Sequence, residues 1–498
     1  MWQTLSVLPF PFWVVLLLVL GGCIWAVGQV RQGIGLPVLA VLVTITVWYV
    51  GDVLYNDYLE TYMDAFPPEI LTSAWWQVAL FVAAFLVFTP QFHKRINGRY
   101  RGQVSRIVRI YKQGVADAHF QKMLTILFRS AFVVWIGLLV AAIFRFQGDL
   151  FYYFFPYLGG YAGPWTKNGV AQGGMDSLFV MASYLQLMVG AIFGVVAALS
   201  TNPKVRGLAL LGVFLTWPYF IFDRTRKFIL LIVLPGTVSW IVLRVRTQMI
   251  FKLPLLLVVY LLINSWFGFI VSHRSEFVIT DALAEEGFDL TKGGKEKHQG
   301  LNMFEELSWI ILFTGDKDWT VAWGQNYIAN LVNPIPRFLW PGKPTIGLDY
   351  ADARGLGGSE GGSGVYGTLS NGVIGQGIVN FGLYLGPAIA AMLASLWACW
   401  LARLDFNAHK IGYFPLYGLG LIMTFNLGRD ITILELYPFL FGYVICKWLN
   451  RHSAQRPKVR RSGDSRKRRP SGPRRNPQGN PASEAAGAET PVSPPSYP

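Results

Sequence analysis

Residues 10–29 read FPFWVVLLLVLGGCIWAVGQ, an apolar stretch without a charged side chain. About 20 such residues are the length that an α-helix needs to cross the hydrocarbon of a bilayer. The stretch lacks the basic start and the small-x-small cleavage site of a secretory signal, so we expect it to remain as a helix. Similar runs recur along the chain, which is 53% hydrophobic and 14% charged. Soluble domains have roughly 25% charged residues, so the sequence predicts a polytopic membrane protein.

The runs are continuous rather than alternating, which predicts an all-α helical bundle and excludes a membrane β-barrel. We count about 11 candidate spans, at residues 10–29, 36–54, 74–92, 126–146, 178–200, 207–222, 228–244, 250–271, 373–401, 413–428 and 433–449. They form one membrane domain, residues 1–449, with a large polar loop at about 272–372. The tail, residues 450–498, holds eleven Lys/Arg against three Asp/Glu and is predicted to be disordered.

Basic residues in the short loops set the orientation that we predict. Residues 93–125 carry eight Lys/Arg and one acid, whereas residues 56–73 carry four acids and no base. The first segment is therefore expected in the cytoplasm and the second outside. Alternation from there places the N-terminus outside, the basic tail in the cytoplasm and the large loop on the extracytoplasmic side. The basic turn at residues 222–228 is the exception, because it falls outside.

Residues 333–344, NPIPRFLWPGKP, are the most distinctive part of the large loop. Four prolines in twelve residues exclude a regular helix and predict a stiff, folded-back loop. It presents Arg337 and Lys343 beside Phe338 and Trp340, which suits an anionic ligand that also carries a sugar or a lipid. The alternative is an interfacial loop whose aromatic side chains lie at headgroup level while its cations reach water.

Arginine is also frequent on the predicted outer side, where the positive-inside rule disfavours it. The arginines are Arg224 and Arg226 in FDRTRKF, Arg274 in SHRSE, Arg337 in the proline loop and Arg429 in LGRDI. Asp223, Glu276 and Asp430 stand beside three of them, so local ion pairs are one explanation. The other is a clamp of guanidinium groups that stabilises the charge of a departing lipid pyrophosphate. His273, Glu276 and Asp430 are then the candidate bases for a sugar hydroxyl.

The sequence contains no strong metal site and no nucleotide motif. The six histidines are scattered, and a solvated turn explains the pair Asp316 and Asp318 better than a divalent-cation site does. The Gly-Ser run at residues 355–364 lacks the lysine and helix of a P-loop, so we expect a flap or linker. All three cysteines lie in apolar runs, which excludes a thiol nucleophile in the large loop. An enzyme built this way is expected to work without metal, cofactor or soluble nucleotide.

Three further stretches have helical amphipathic patterns. Residues 301–314 and 323–332 predict short helices that lie on the outer membrane surface or cover a cavity. Residues 103–112, QVSRIVRIYK, predict a helix lying on an anionic leaflet. Retention on the cytoplasmic side and anionic lipid also explain the basic tail more simply than nucleic acid does.

Several of these segments resemble the bacterial oligosaccharide repeat unit polymerases, the O-antigen polymerase type of enzyme. The resemblance lies in the order of parts: many spans, the basic turn DRTRK at 223–227, one large outward loop, IPRFLWPGKP at 335–344 and IGQGIVNFG at 374–382. In the last segment that family often has a Gly-Glu pair and a later Asn-x-Gly. This chain has Gly375, Gln376, Asn380 and Gly382, so a possible carboxylate is missing and no base is assigned to Gln376. The resemblance covers about residues 208–382, and the earlier spans only by hydropathy.

The resemblance implies a GT-C-like, metal-independent glycosyltransferase of a bacterial inner membrane. It would move a growing glycan from isoprenoid pyrophosphate onto the non-reducing sugar of the next lipid-linked repeat unit, at the outer face. The residues that it assigns are Arg224, Arg274 and Arg337 for pyrophosphate, with Lys343 and Arg429 as weaker members, and Phe338 and Trp340 for the glycan or lipid path. Membrane lipids, a flippase and a chain-length regulator are the implied partners, and nucleic acid is not expected.

Two other functions stay open on the residues alone. An O-antigen ligase or another lipid-linked glycan transferase would share the arginine clamp and differ in its acceptor. A secondary transporter would have internal repeats and discontinuous helices with polar residues at mid-membrane. The sequence shows no repeat, and its polar residues gather at the predicted outer rim, so a glycan transferase is favoured.

Overall fold

The computed structural model describes residues 6–455 with internal gaps, and the described part is helical without a strand. The gaps are residues 56–57, 146–147, 149–150, 155–164, 166–175, 223–225, 246–248, 273–302, 316–319, 333–334, 336–338, 343–369 and 430–432. The chain divides into two units, Met1–Ser453 and Ala454–Pro498. The predicted disordered tail lies almost wholly outside the described residues.

The described residues of the first unit form helices. In chain order they are α1 (Phe10–Gly28), α2 (Gly35–Ile45), α3 (Pro68–Asn97), α4 (Arg106–Gln113), α5 (Ala118–Arg145), α6 (Asp176–Leu199), α7 (Pro203–Ile221), α8 (Arg226–Ser239), α9 (Met249–Ser272), α10 (Met303–Thr314), α11 (Gln325–Val332), α12 (Gly372–Phe406), α13 (Tyr413–Leu427) and α14 (Ile433–Gln455). A π-helical segment, Thr46–Gly51, and a single turn, Asp52–Tyr55, extend α2. Another π-helical segment, Trp240–Arg244, extends α8. Shorter elements are Val30–Gln32, Tyr58–Met63, Gly98–Tyr100 and Phe151–Phe154.

Seven helices of the described residues are long and apolar enough to cross a membrane. They are Phe10–Gly28, Gly35–Leu54, Pro68–Tyr100, Ala118–Phe144, Met181–Leu199, Pro203–Ile221 and Gly372–Phe406. Apolar runs of this length fold as helices because a backbone in hydrocarbon must satisfy its own hydrogen bonds. The all-helical class is therefore confirmed. The count of eleven spans stays a prediction. The other four predicted spans coincide with α8, α9, α13 and α14, whose described residues do not meet the same criterion of length and hydropathy.

The segments predicted to be cytoplasmic meet at one end of the bundle, which we call the Asn407 end after the turn between α12 and α13. There the Ser105 hydroxyl donates to the Asp405 carboxylate (2.9 Å), and the Arg244 guanidinium donates to the carbonyl of Ser200 (3.0 Å). Further hydrogen bonds at this end join His119 to His409, Gln121 to Leu199 and Asn450 to Ile411. These contacts bring the segments together at one end, while the transmembrane topology and the side of the membrane that this end faces stay predictions.

Helix α12 is not straight, because the chain reverses at Gly382. This glycine has φ 75° and ψ 175°, a conformation that other residues adopt only with strain. Residues 372–381, the folded-back limb, run antiparallel along residues 383–406, the long limb. A Cβ added to Gly377 would lie 2.3 Å from the carbonyl oxygen of Gly386 and 3.1 Å from the Cβ of Ala390. In a straight helix residues 377 and 386 would be about 13.5 Å apart.

This reversal corrects the predicted ninth span, residues 373–401. Hydropathy treats residues 372–406 as one apolar run, because both limbs are apolar. The long limb alone extends about 36 Å, which is enough to cross a bilayer. The span therefore begins after Gly382, and the preceding residues form a discontinuous helix packed against it.

Helix α10 lies inside the bundle and not on its surface. Phe304 is fully buried, with its ring centroid 4.3 Å from that of Trp75 and 5.6 Å from that of Tyr62. Further along α10, Ile310 packs against Gly375 of the folded-back limb. A helix is thus confirmed for Met303–Thr314. Of its two predicted places, the outer membrane surface is wrong, because its apolar side chains face protein rather than lipid, and the cover of a cavity stays a prediction.

Candidate functional site

Most of the predicted site residues lie outside the described residues. These are Arg224, His273, Arg274, Glu276, Arg337, Phe338, Lys343 and Asp430, together with the side chain of Arg226, whose backbone begins α8. The pair Asp316 and Asp318, Asp223 and the Gly-Ser run at 355–364 also fall there. Their convergence into an arginine clamp therefore stays a prediction. Trp340, which is 41% exposed, and Arg429 are described.

The folded-back limb begins inside the bundle, where three elements meet. The Val373 N–H donates to the Gly428 carbonyl (3.1 Å), and the Ile374 N–H donates to the Tyr49 hydroxyl (3.3 Å). Gly372 has φ 67°, and a Cβ there would lie 2.5 Å from the Tyr49 hydroxyl oxygen. The extension of α2 and the end of α13 therefore hold the N-terminus of this limb, and the positive end of its dipole is directed at the junction.

Arg429 lies at this junction, part of the way through the bundle. Helix α13 has 15 residues, about 22 Å of helix, whereas the long limb extends about 36 Å from the same Asn407 turn. Arg429 thus lies about 14 Å short of the turn at Gly382. Its exposed guanidinium donates from Nε to the Ser370 hydroxyl (2.7 Å), which is its one side-chain partner among the described residues. Most of the five N–H donors of this guanidinium therefore have no partner among the residues that the structure describes.

Two buried carboxylates near this junction were missed by the sequence analysis. Asp52 is fully buried and Glu306 is 2% exposed. The Asp52 carboxylate accepts the Phe304 N–H (2.9 Å), so it caps the first turn of α10 and opposes the positive end of that helix. Met303 brings the same turn to within 3.5 Å of a Cβ added to Gly372. The signal in the sequence was an acid inside an apolar stretch, which is rare and marks a structural or functional centre.

The other end of the folded-back limb holds the segment that leads to the proline loop. Fully buried Asn380 accepts the Asn326 N–H at its Oδ1 (3.2 Å) and donates from Nδ2 to the Gln376 carbonyl (2.8 Å). The Phe381 ring stacks on Tyr327 with centroids 6.2 Å apart. Because α11 ends at Val332, directly before the proline loop, the 374–382 motif holds the helix that leads into that loop. Gln376 itself is 3% exposed.

The described residues contain no group of three or more His, Cys, Asp or Glu side chains that could hold a metal ion. A comparison of the chain with protein-family models, with curated proteins and with solved structures finds no match. Among the described residues, the groups that carry chemistry at the junction are one exposed guanidinium, the hydroxyls of Ser370 and Tyr49, one helix N-terminus and two buried carboxylates.

Proposed function

We propose that this chain polymerises oligosaccharide repeat units carried on an isoprenoid pyrophosphate, at the outer face of a bacterial inner membrane. The growing glycan is transferred whole onto the next lipid-linked unit, and the bundle is GT-C-like. The observation that supports this most is the position of Arg429. It is an exposed guanidinium in an apolar bundle, beside a helix N-terminus and about 14 Å short of the Gly382 turn.

A cation at this depth needs an anion. Placing an arginine in the middle of a membrane helix costs roughly 2.5–3.5 kcal/mol on insertion scales. The one side-chain partner of Arg429 among the described residues, the Ser370 hydroxyl, is neutral and does not compensate its charge. The N-terminus of the folded-back limb adds further positive potential at the same point. A pyrophosphate attached to a lipid meets both requirements, because its charge binds the cations and its lipid keeps it in the bilayer.

The reaction then needs only positioning and charge stabilisation. The acceptor sugar hydroxyl oxygen attacks the anomeric carbon of the growing glycan, and the bond from that carbon to the pyrophosphate oxygen breaks. The electron pair leaves with the lipid pyrophosphate, whose charge the predicted arginine clamp stabilises. The hydroxyl proton passes to a base, for which His273, Glu276 and Asp430 are the candidates.

Two alternatives stay in competition. An O-antigen ligase or another lipid-linked glycan transferase would use the same cations with a different acceptor. A secondary transporter is favoured by one observation, the folded-back limb, because discontinuous helices with their N-termini directed at an anion are common in transporters.

The test is complementation of a strain that lacks this protein, with the surface polysaccharide resolved as a size ladder on a gel. We expect Arg429→Ala to reduce the polymerised fraction about 10²-fold, the usual effect of removing one preorganised donor. Arg429→Lys should restore it only in part, because lysine lacks the planar fork of donors. Arg451→Ala, which removes an exposed arginine of α14 beyond the Asn407 end, is the control at matched membrane level.

The pattern of the ladder separates the three functions. Collapse to a single-repeat band in normal amount supports polymerisation. Loss of all surface glycan would favour ligation or export instead. An unchanged ladder in the Arg429→Ala strain would remove Arg429 from the reaction.

A further inference from the structure

An apolar cavity of about 260 Å³ lies beside the junction that Arg429 occupies. Helices α2, α3, α12, α13 and α14 contribute its walls. Leu393, Trp397 and Trp400 of the long limb line one side, and Val373 of the folded-back limb and Gly428 lie at the end next to Arg429. The cavity therefore extends along the long limb from the junction toward the Asn407 end.

Three polar side chains of this wall, those of Thr44, Thr424 and Trp397, are already hydrogen-bonded within the protein. The Thr44 hydroxyl donates to the Ala40 carbonyl (2.7 Å), and the Thr424 hydroxyl donates to the Gly420 carbonyl (2.9 Å). The indole N–H of Trp397 donates to the Thr424 hydroxyl (2.9 Å). A polar ligand would find few free partners here, whereas a hydrocarbon chain would lose nothing by entering, so the cavity selects an apolar ligand.

We propose that this cavity holds the first isoprene units of the lipid pyrophosphate, with the pyrophosphate at Arg429; this inference rests on the proposed function. Charge complementarity selects the occupant. The cavity is apolar along its length and has an exposed guanidinium at one end, so it matches a lipid whose anion is attached directly to a hydrocarbon chain. A bilayer phospholipid has glycerol and ester groups between its phosphate and its acyl chains, so it lacks this direct attachment.

The experiment is photolabelling of the full chain in lipid nanodiscs. The probe is a farnesyl diphosphate that carries a diazirine on its second isoprene unit, and labelled peptides are located by mass spectrometry. We expect label on residues 393–400 and 424–428. Excess unlabelled farnesyl diphosphate should remove it, and added phosphatidylglycerol should not.

A variant that fills the cavity supplies the matched test. Ala394 lines the cavity, so Ala394→Trp should weaken binding of the probe and lower labelling about tenfold. Ala394→Leu is the milder variant that keeps the fold if tryptophan overpacks the site. Ala141→Trp, at an exposed position of α5, adds the same side chain outside the cavity and should label normally. Thermal unfolding of each variant verifies that it is folded.

Each outcome separates this inference from the proposed function. Label elsewhere in the chain, labelling unchanged in folded Ala394→Leu and Ala394→Trp, or equal competition by phosphatidylglycerol would overturn the inference. If the size ladder depends on Arg429 while the label lies elsewhere, the polymerase stands and the cavity proposal fails. If the label lies in the cavity while the wild-type chain restores no size ladder, the lipid site is supported and the polymerase proposal fails. A ladder that is indifferent to Arg429 removes only that residue from the reaction.

Discussion

Replacing Gly386 by alanine tests the reversal of α12. A Cβ at Gly386 would lie 2.5 Å from the carbonyl carbon and oxygen of Gly377 and 2.6 Å from the Cα of Ile378. These are backbone atoms, so a change of rotamer cannot relieve the overlap. Carbon atoms in contact normally lie about 3.5–4.0 Å apart, so the alanine must push the two limbs apart by about 1 Å.

The expected cost follows from that overlap. Inserting a methyl group into a well-packed interior costs about 1–3 kcal/mol, whereas glycine to alanine inside a helix by itself gains up to about 1 kcal/mol. Gly418 of α13 supplies the control, because an added Cβ there has no atom within 4 Å. Both variants gain the same helix propensity from the change of glycine to alanine. We therefore expect Gly386→Ala to be about 1–3 kcal/mol less stable than Gly418→Ala.

The assay is reversible unfolding of the purified variants in mixed micelles, followed by tryptophan fluorescence. A second measurement places cysteines at Val373 and Ala394 after the native cysteines are replaced by serine. A straight helix would separate these two positions by about 32 Å, whereas in the folded-back arrangement both line one cavity. A short bifunctional thiol reagent should therefore join them. Equal stability of the two alanine variants, together with no crosslink, would refute the reversal.

Two further predictions concern the polar contacts that hold α10 and α11. Asn380→Ala removes the acceptor of the Asn326 N–H. We therefore expect faster hydrogen exchange at residues 322–332 and a free energy of unfolding lower by about 1 kcal/mol. Unchanged exchange at these residues would contradict the contact. Asp52→Ala removes the cap on the Phe304 N–H and should lower the stability by about 0.5–2 kcal/mol in the same unfolding assay. Asp64→Ala, at an exposed position, is the control, and equal stability of the two variants would show that Asp52 is not a cap.

The sequence was informative about the site wherever a residue type was unusual for its surroundings. Arg429 stood out as a cation on the predicted outer side, and it lies at the junction with an exposed guanidinium. The 374–382 segment stood out by its resemblance, but the roles of its residues were not readable from it. Gly382 turns the chain and Asn380 holds α11, because those roles depend on the elements that approach from elsewhere.

The acids that the sequence analysis missed have the same explanation. Asp52 lies within a predicted span and Glu306 within a predicted amphipathic helix. In each stretch the average hydropathy of the apolar neighbours hides the single acid. Their burial depends on α10 entering the bundle beside Trp75 and the folded-back limb. An amphipathic pattern states that one face is apolar, and it cannot state whether lipid or protein covers that face.

By itself the sequence determined that this chain is helical and suited to a membrane, because a run of about 20 apolar residues has one stable conformation in hydrocarbon. Only the tertiary structure decided that α12 folds back, that α10 is buried and that Arg429 stands beside an apolar cavity. Both limbs of α12 have the same hydropathy, so their direction is set by the backbone contact of Gly377 with Gly386. That contact joins residues whose closeness no local pattern encodes, since it depends on the fit of two helices and not on the composition of either.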